Sequence, residues 1–317
     1  MKKIILLFAF LTVFAAKNLC AQKMKMMIMG TDTFYVMEPL EGDKLYMKGD
    51  IKGAVAAYRK QLKKRPQDSL LIAHNFSCSL TKSGEQEAAF EYLYMDLRHD
   101  STPFVLTDPD LLPLRRNKAW PEYEQKVLSA TKAKFPQISD FPLAAKLWEM
   151  NARDQAFYYE IELAEKKMGM NCPVALALWE AKEVLNQKNV RELDSIIRVK
   201  GWPKISVVGR LAAGSAFLII QHSTTALQEK YLPVIKALCE QNEASWQSYA
   251  LMYDRVQIAA NKPQLYGSQV KYNDATKKYE LFPIEDEKNV DKRREEMGMG
   301  PVADYVLNWN IKYVPVK

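Results

Sequence analysis

Three titratable side chains in the C-terminal half of the chain have the types needed for general acid–base chemistry. His222 follows a long apolar run, and either Asp154 or Asp254 could orient its ring as a base. A hydrolase also needs a nucleophile, and the sequence contains no nucleophile elbow, phosphate loop or dinucleotide fingerprint. Ser223 follows His222 directly, and adjacent side chains rarely face each other.

Amide, aromatic and basic side chains accompany these three residues in the same part of the chain. Glutamines can fix a polar substrate and an arginine can hold an anionic group. The candidate ligand-binding residues are Gln155, Trp202, Gln221, Arg255, Gln264, Tyr266 and Gln269. We expect them to gather beside the apolar helix predicted from Ile205 to Ile220. Each of them alone also fits a structural role, such as joining helices or satisfying loop backbone.

Metal-ligand spacing is absent from the sequence. His74, His99 and His222 lie in separate segments, so a site around His222 would need carboxylates from distant helices. The sequence therefore predicts no metal and no cofactor.

The N-terminus has the features of a secretory signal peptide. Two lysines precede an apolar run from Ile4 to Ala16, and cleavage is predicted after Ala21. The run is shorter than the roughly 20 apolar residues of a membrane span, so no transmembrane segment is expected after removal of residues 1–21. We expect a periplasmic or secreted protein. Lipid anchoring through Cys20 is less favoured, because a bulky leucine precedes that cysteine.

The three cysteines that would follow the leader do not predict a disulfide framework. Their number is odd, and the chain is too long to depend on disulfide bonds. Buried thiols are the favoured interpretation, and one disulfide bond plus one thiol is the alternative. The residues are Cys78, Cys172 and Cys239.

Composition and charge exclude some classes of partner. The net charge is +7, and loss of the three leader lysines lowers it to +4, which is no argument for nucleic-acid binding. The hydrophobic fraction of 48% is sufficient for real cores, and the length suits two domains.

Residues 40–130 predict a helical repeat domain. Ala54 and Tyr58 recur 34 residues later, as an alanine and a tyrosine. With Gly49-Asp50 at a turn and Pro66 at a helix end, the spacing resembles a tetratricopeptide repeat. The resemblance implies antiparallel helix pairs and a groove for a protein or peptide partner. Because two units make a short stack, a helical spacer or dimer contact is the alternative.

The segments beside the repeat have other patterns. Residues 22–39 predict an extended or hairpin segment, and the Phe-Pro pairs of residues 131–142 predict a linker with a boundary near residue 138. Residues 143–317 predict a second, helical domain.

Periodicity predicts the elements of that second domain. Apolar steps of three and four predict one long helix from Leu143 to Met168. Asn189, three residues before Glu192, predicts a helix start. A β-hairpin is predicted around Asn273-Asp274. The fold class is therefore mainly α, a short tetratricopeptide-like stack plus a helical domain with a small β-hairpin.

The order of motifs from about Leu143 to Tyr305 resembles an uncharacterised bacterial domain family of unknown function. The chain departs from that family where an arginine usually follows the Asp-Gln pair, and where threonine usually stands in place of Ser268. The resemblance implies a shared polar site and no known reaction. The matching residues are Asp154-Gln155, Gly201-Trp202-Pro203, Val208-Gly209, Gln221-His222-Ser223, Asp254-Arg255, Pro263-Gln264, Tyr266-Gly267-Ser268-Gln269, Glu285-Asp286 and Arg293-Arg294.

These observations favour an exported binding or interaction protein with a polar small-molecule or peptide site in its C-terminal domain. The first alternative is a cell-envelope hydrolase that uses His222 with Asp154 or Asp254. The second is a structural scaffold without a ligand.

Overall fold

A computed structural model describes residues 39–99, 102–273 and 275–314. The described residues are mainly α-helical, and they include a small two-stranded antiparallel sheet. The predicted mainly α fold with a small β-hairpin is thereby confirmed. The predicted signal peptide and residues 22–38 of the predicted extended segment lie outside the described residues.

The chain divides into two compact units, whose described parts are residues 39–189 and 190–314. The division falls inside a helix. The boundary predicted near residue 138 lies in residues 135–140, which are outside the helices, and the two-domain assignment from sequence stays a prediction.

The first unit consists of helices joined by short turns and 3-10 segments. A 3-10 helix, Pro109–Arg116, lies between its fifth and sixth α-helices. The α-helices are α1 (Glu41–Tyr46), α2 (Ile51–Lys64), α3 (Ser69–Ser83), α4 (Gln86–His99), α5 (Phe104–Thr107), α6 (Trp120–Lys134), α7 (Phe141–Gln155), α8 (Tyr158–Met168) and the first part of α9 (Pro173–Lys200).

Small and aromatic residues pack the first four helices together. A Cβ atom at Gly42 would lie 2.5 Å from the Tyr58 ring, so only glycine fits at this crossing. The Tyr58 ring packs on Phe76 with centroids 5.2 Å apart, and Phe76 packs on Tyr92 at 4.5 Å. Gly49 has a φ of +76°, which suits the predicted turn. The tetratricopeptide assignment itself stays a prediction.

Helix α8 packs against α1 and α3 of the same unit. Lys82 on α3 forms ion pairs with Asp110, at 2.8 Å, and with Glu160 on α8. The rings of Tyr46 and Tyr159 stack with centroids 5.8 Å apart. The Tyr159 hydroxyl also donates a hydrogen bond to the carbonyl of Tyr46. A helix from beyond the predicted linker therefore packs on α1 and α3.

The single helix predicted from Leu143 to Met168 is wrong, because the chain breaks after Gln155. Ala156 is extended, and Phe157 has a left-handed φ of 71°. In a continuous helix the carbonyl of Asp154 would accept from the backbone N–H four residues later. Here it accepts a hydrogen bond from the Lys182 ammonium instead.

The helix start predicted at Asn189 is also wrong. Helix α9 runs without interruption from Pro173 to Lys200, and Asn189 is fully buried within it. The Asn189 amide donates to the Met150 carbonyl and accepts from Arg153 Nε, both at 2.9 Å. Its side chain therefore binds α7 and does not cap a helix.

The second unit packs helices beside the short hairpin. Asn273 pairs with Lys278 next to the hairpin turn, as the sequence predicted. Within the described ranges, no helix has both the length and the apolar character required to cross a bilayer. The elements after α9 are α10 (Ile205–Gln221), α11 (Thr225–Glu240), α12 (Trp246–Ala259), β1 (Val270–Asn273), β2 (Lys278–Leu281), α13 (Val290–Glu296) and α14 (Val302–Val306).

Candidate functional site

The carboxylate of Asp254, on α12, binds the backbone of a loop formed by residues 264–269. Its Oδ1 accepts from the amides of Leu265 and Tyr266 at 2.7 and 3.0 Å. Its Oδ2 accepts from the amide and the hydroxyl of Ser268 at 3.0 and 2.8 Å. A carboxylate can accept about four hydrogen bonds, so the loop occupies the capacity of Asp254.

Two glutamines fix the ends of the same loop. The amide nitrogen of Gln264 donates to the carbonyls of Gln269 and Phe282 at 3.0 and 2.9 Å, and its oxygen accepts from the Gln269 amide at 2.7 Å. The side chain of Gln269 donates to the Ser268 hydroxyl at 2.9 Å. Both glutamine side chains therefore stabilise the loop that contains them.

Arginines of α13 bind the carbonyl side of the loop. Arg293 Nε donates to the Leu265 carbonyl at 2.9 Å, and Arg294 donates to the Tyr266 carbonyl at 2.7 Å. At Gly267, φ is +64° and a Cβ atom would lie 2.9 Å from Ile284. Glycine is thus required at the tip of the loop.

Burial has the largest effect on the pKa of the Asp254 carboxyl. Removal from water raises the pKa of this carboxyl above its usual value, while the hydrogen bonds from the loop oppose that shift. The residue is fully buried. This geometry favours a loop anchor over an acid or base that exchanges protons with a substrate.

Gln221, His222 and Arg255 lie at the C-terminal end of α10, whereas Trp202 precedes the N-terminus of that helix. The Gln221 carbonyl accepts from Arg255 and from Gln228, both at 2.8 Å. His222 directly follows α10 and its backbone amide closes the last turn of the helix. Trp202 packs against Tyr231 with ring centroids 5.5 Å apart. Arg255 therefore connects α12 to the end of α10.

Asp154 and Gln155 belong to the first unit, at the end of α7. Both are nearly fully buried. The amide nitrogen of Gln155 donates to Asp154 Oδ2 at 2.6 Å. Because a carboxylate only accepts, this contact fixes the amide orientation and turns Gln155 Oε1 away from Asp154. Among the described residues, Gln155 Oε1 has no hydrogen-bond partner although it is buried.

Lys182 completes this cluster from α9. Its side chain is 1% exposed, and its ammonium lies 3.8 Å from the centroid of the Tyr158 ring. It binds the Asp154 carbonyl, and Asn186 Oδ1 lies 3.4 Å away. Burial lowers the pKa of Lys182 to about 8, against the opposing charge of Asp154. We call Asp154, Gln155 and Lys182 the buried lysine cluster.

A comparison with protein families identifies the region that contains both sites. The profile of a family of unknown function, DUF6624, matches residues 142–314, which is more than half of the chain. The chain belongs to this family. The predicted resemblance to a domain family of unknown function is thereby confirmed, and residues 142–314 are called the DUF6624 region below. No match was found among curated proteins or among solved structures.

The sequence predicts Asp154 and Gln155 as candidate site residues, but it does not predict Lys182. A lysine on a helix is usually solvated, and nothing in its neighbouring residues marks it. The position of Lys182 in a seven-residue spacing is the sequence signal that could predict its burial. Ala175, Lys182 and Asn189 follow one another at intervals of seven residues, and all three are at most 1% exposed.

Replacing Asp254 with asparagine is predicted to destabilise the protein. The new amide nitrogen cannot accept from the loop, and it faces backbone N–H donors. We expect the free energy of unfolding to fall by about 3 kcal/mol in urea denaturation. The exposed Asp304→Asn provides the control and should change it by less than about 0.5 kcal/mol. Equal stability of the two variants would contradict the anchoring role of Asp254.

The stability of the protein is predicted to depend on pH through Lys182. Its pKa is about 8 in the folded chain and 10.5 when unperturbed, so the unfolded chain binds more protons between these values. Its contribution to the free energy of unfolding therefore rises with pH across this window, by about 3 kcal/mol, and is lost as pH falls through 8.

Two lysine variants of α9 test this pH dependence of the stability. Unfolding of Lys182→Met, followed by circular dichroism from pH 7 to pH 10, should lack this rise. The exposed Lys188→Met should keep it. If Lys182→Met follows the pH profile of the unsubstituted chain, Lys182 does not titrate in this range.

Proposed function

We propose that this chain is an exported binding protein whose DUF6624 region holds a small polar ligand at the buried lysine cluster. One observation carries the proposal. Gln155 Oε1 is a buried acceptor without a hydrogen-bond partner among the described residues. A buried acceptor left unpaired costs about 1–3 kcal/mol, so a ligand that donates a hydrogen bond to it gains this energy.

The neighbours of that acceptor define the chemistry of the ligand. Asp154 contributes a negative charge, and Lys182 contributes an ammonium group that is mostly protonated at neutral pH. Both lie beside the break between α7 and α8. Hydroxyl or amide donors would bind Gln155, and an acceptor on the ligand would bind Lys182. A small polyhydroxylated or peptide-like molecule combines these groups.

The hydrolase alternative receives less support from the contacts. It requires His222 to pair with Asp154 or Asp254. The loop of residues 264–269 already occupies the acceptor capacity of Asp254. The pairing of His222 with either aspartate stays a prediction, as does the scaffold without a ligand.

A partner for the repeat segment forms the second part of the proposal. An open depression of about 580 Å³ lies along α2 and is lined by Lys52, Val55, Ala56, Arg59, Lys60, Lys63, Ser83 and Glu85. Basic side chains predominate in this lining, which suits an acidic peptide segment of another protein. Binding of acidic peptides would be measured by the same unfolding assay as the small ligands.

The predicted ligand is detectable by thermal unfolding of the chain without residues 1–21. We expect at least one compound from a library of sugars, polyols, amino acids and short peptides to raise Tm. At 100 times its Kd, such a ligand stabilises the folded state by about 2.7 kcal/mol, which corresponds to several degrees.

Two glutamine substitutions connect this response to the site. Gln155→Met keeps the side-chain length but removes Oε1, so the rise in Tm should be lost. The exposed Gln187→Met on α9 should keep it. A library without any hit, or a hit that Gln155→Met binds equally well, would refute the proposed ligand site.

Export is predicted to leave a chain that begins at Gln22. The support is the two lysines and the apolar run at the start of the sequence. Intact-mass analysis of the envelope and medium fractions of an expressing bacterium should show the chain without residues 1–21, and Phe8→Asp should retain the full chain in the cytoplasm. A lipid adduct on Cys20 would establish anchoring instead, and an uncleaved cytoplasmic chain would contradict export.

A further inference from the structure

A different cluster of buried side chains, in the repeat segment, takes no part in the proposed function. His74 and Cys78 are four residues apart on α3 and therefore share one face of the helix. Asp108 precedes the 3-10 helix Pro109–Arg116. All three residues are buried, and one ligand atom from each lies within 4.8 Å of the others.

The Cys78–Asp108 distance is close to that of a tetrahedral metal site, and the His74–Asp108 distance is shorter. Bond lengths of about 2.0–2.3 Å place neighbouring sulfur and oxygen ligands of Zn²⁺ about 3.5 Å apart, and nitrogen and oxygen ligands about 3.3 Å apart. The Cys78 sulfur lies 3.6 Å from Asp108 Oδ2, and His74 Nε2 lies 2.7 Å from the same oxygen. An ion would require His74 and Asp108 to separate by roughly half an ångström.

Asp96 provides the outer contact that histidine ligands usually have. Its Oδ2 lies 3.1 Å from His74 Nδ1. A carboxylate at this position holds the proton on Nδ1 and leaves the lone pair of Nε2 for a metal. The orientation of the ring toward Cys78 and Asp108 is thereby fixed.

A buried phenol provides a second, independent observation. Tyr123 is fully buried, and in the described part of the chain its hydroxyl has no hydrogen-bond partner. Burial, followed by the charges of Asp96 and Cys78, raises the pKa of Tyr123, so these groups lie within electrostatic range of it. A water molecule bound to a metal at this cluster is a natural partner for such a hydroxyl.

We propose that His74, Cys78 and Asp108 bind a divalent transition-metal ion, with Zn²⁺ as the ion that this donor set favours. The fourth position is filled by water. A thiolate and a carboxylate together neutralise the charge of the ion, as a buried site requires. The ion connects α3 to the segment 30 residues further along the chain and stabilises the repeat segment.

This site differs from the expectation drawn from sequence. That expectation rested on the wide separation of the three histidines. A single histidine suffices here, because Cys78 lies one helical turn away and the fold brings Asp108 to both. The spacing His-x₃-Cys within a helix is too common by itself to predict a metal ligand pair.

Metal titration of the chelator-treated chain without residues 1–21 tests the proposal. We expect one equivalent of Zn²⁺ to bind in isothermal calorimetry and to raise Tm. Co²⁺ should produce the charge-transfer absorption of a cobalt–thiolate bond. Cys78→Ser should lose this absorption and weaken Zn²⁺ binding at least tenfold. Cys239→Ser, at another buried cysteine, should preserve both properties.

Three results would overturn the proposal. They are a chain that binds no stoichiometric Zn²⁺, a Co²⁺ complex without thiolate absorption, and a Cys78→Ser variant that binds as the unsubstituted chain does. In each case His74 would be held between Asp96 and Asp108 by hydrogen bonds alone. If Cys78→Ser does not fold, His74→Gln serves as the second variant, and the stoichiometry of the unsubstituted chain still decides.

Discussion

The conformation of the loop of residues 264–269 depends on a single buried carboxylate. Asp254 accepts hydrogen bonds from three backbone amides of this loop, which would otherwise be buried without partners. Each such amide left unpaired costs about 1–3 kcal/mol, so the loop conformation and the aspartate require each other. Arg293 and Arg294 bind carbonyls of the same loop. Asp254, Arg293 and Arg294 therefore all stabilise one irregular segment between α12 and the hairpin.

Periodicity and turn residues predicted most of the fold, and tertiary contacts explain where they failed. The helix predicted from Ile205 and the hairpin predicted around Asn273 are present, although the chain is not helical at Gly209, whose φ is +79°. The apolar stripe from Leu143 continues across the break as far as Ala164, because side chains on both sides of Phe157 face a core, whereas Met168 is exposed. Asn189 has the type of a helix cap, but buried donors and acceptors on α7 use its amide. The sequence pattern around Asn189 does not show its tertiary partners, Met150 and Arg153.

The candidate sites were accessible from sequence to different degrees. The sequence predicts a shared polar site from the Asp254-Arg255 pair and the glutamines. In the structure most contacts of these side chains are with backbone groups. Their spacing does not distinguish a loop anchor from a ligand contact. The seven-residue spacing of Ala175, Lys182 and Asn189 is a sequence signal for the burial of Lys182. The His74–Cys78–Asp108 cluster depends on a tertiary contact that no local pattern encodes.

The packing of α8 on α1 and α3 limits how the gene for this protein can recombine during evolution. The DUF6624 region begins at residue 142, yet its residues up to 189 share a compact unit with helices α1 to α6. Lys82 with Glu160, and Tyr46 with Tyr159, join the two sequence modules across that border. A recombination event at residue 142 would leave the partly buried Lys82 without one of its carboxylates and the Tyr46 ring open to water. The sequence module and the folding module are therefore different units, and selection on either one constrains the other.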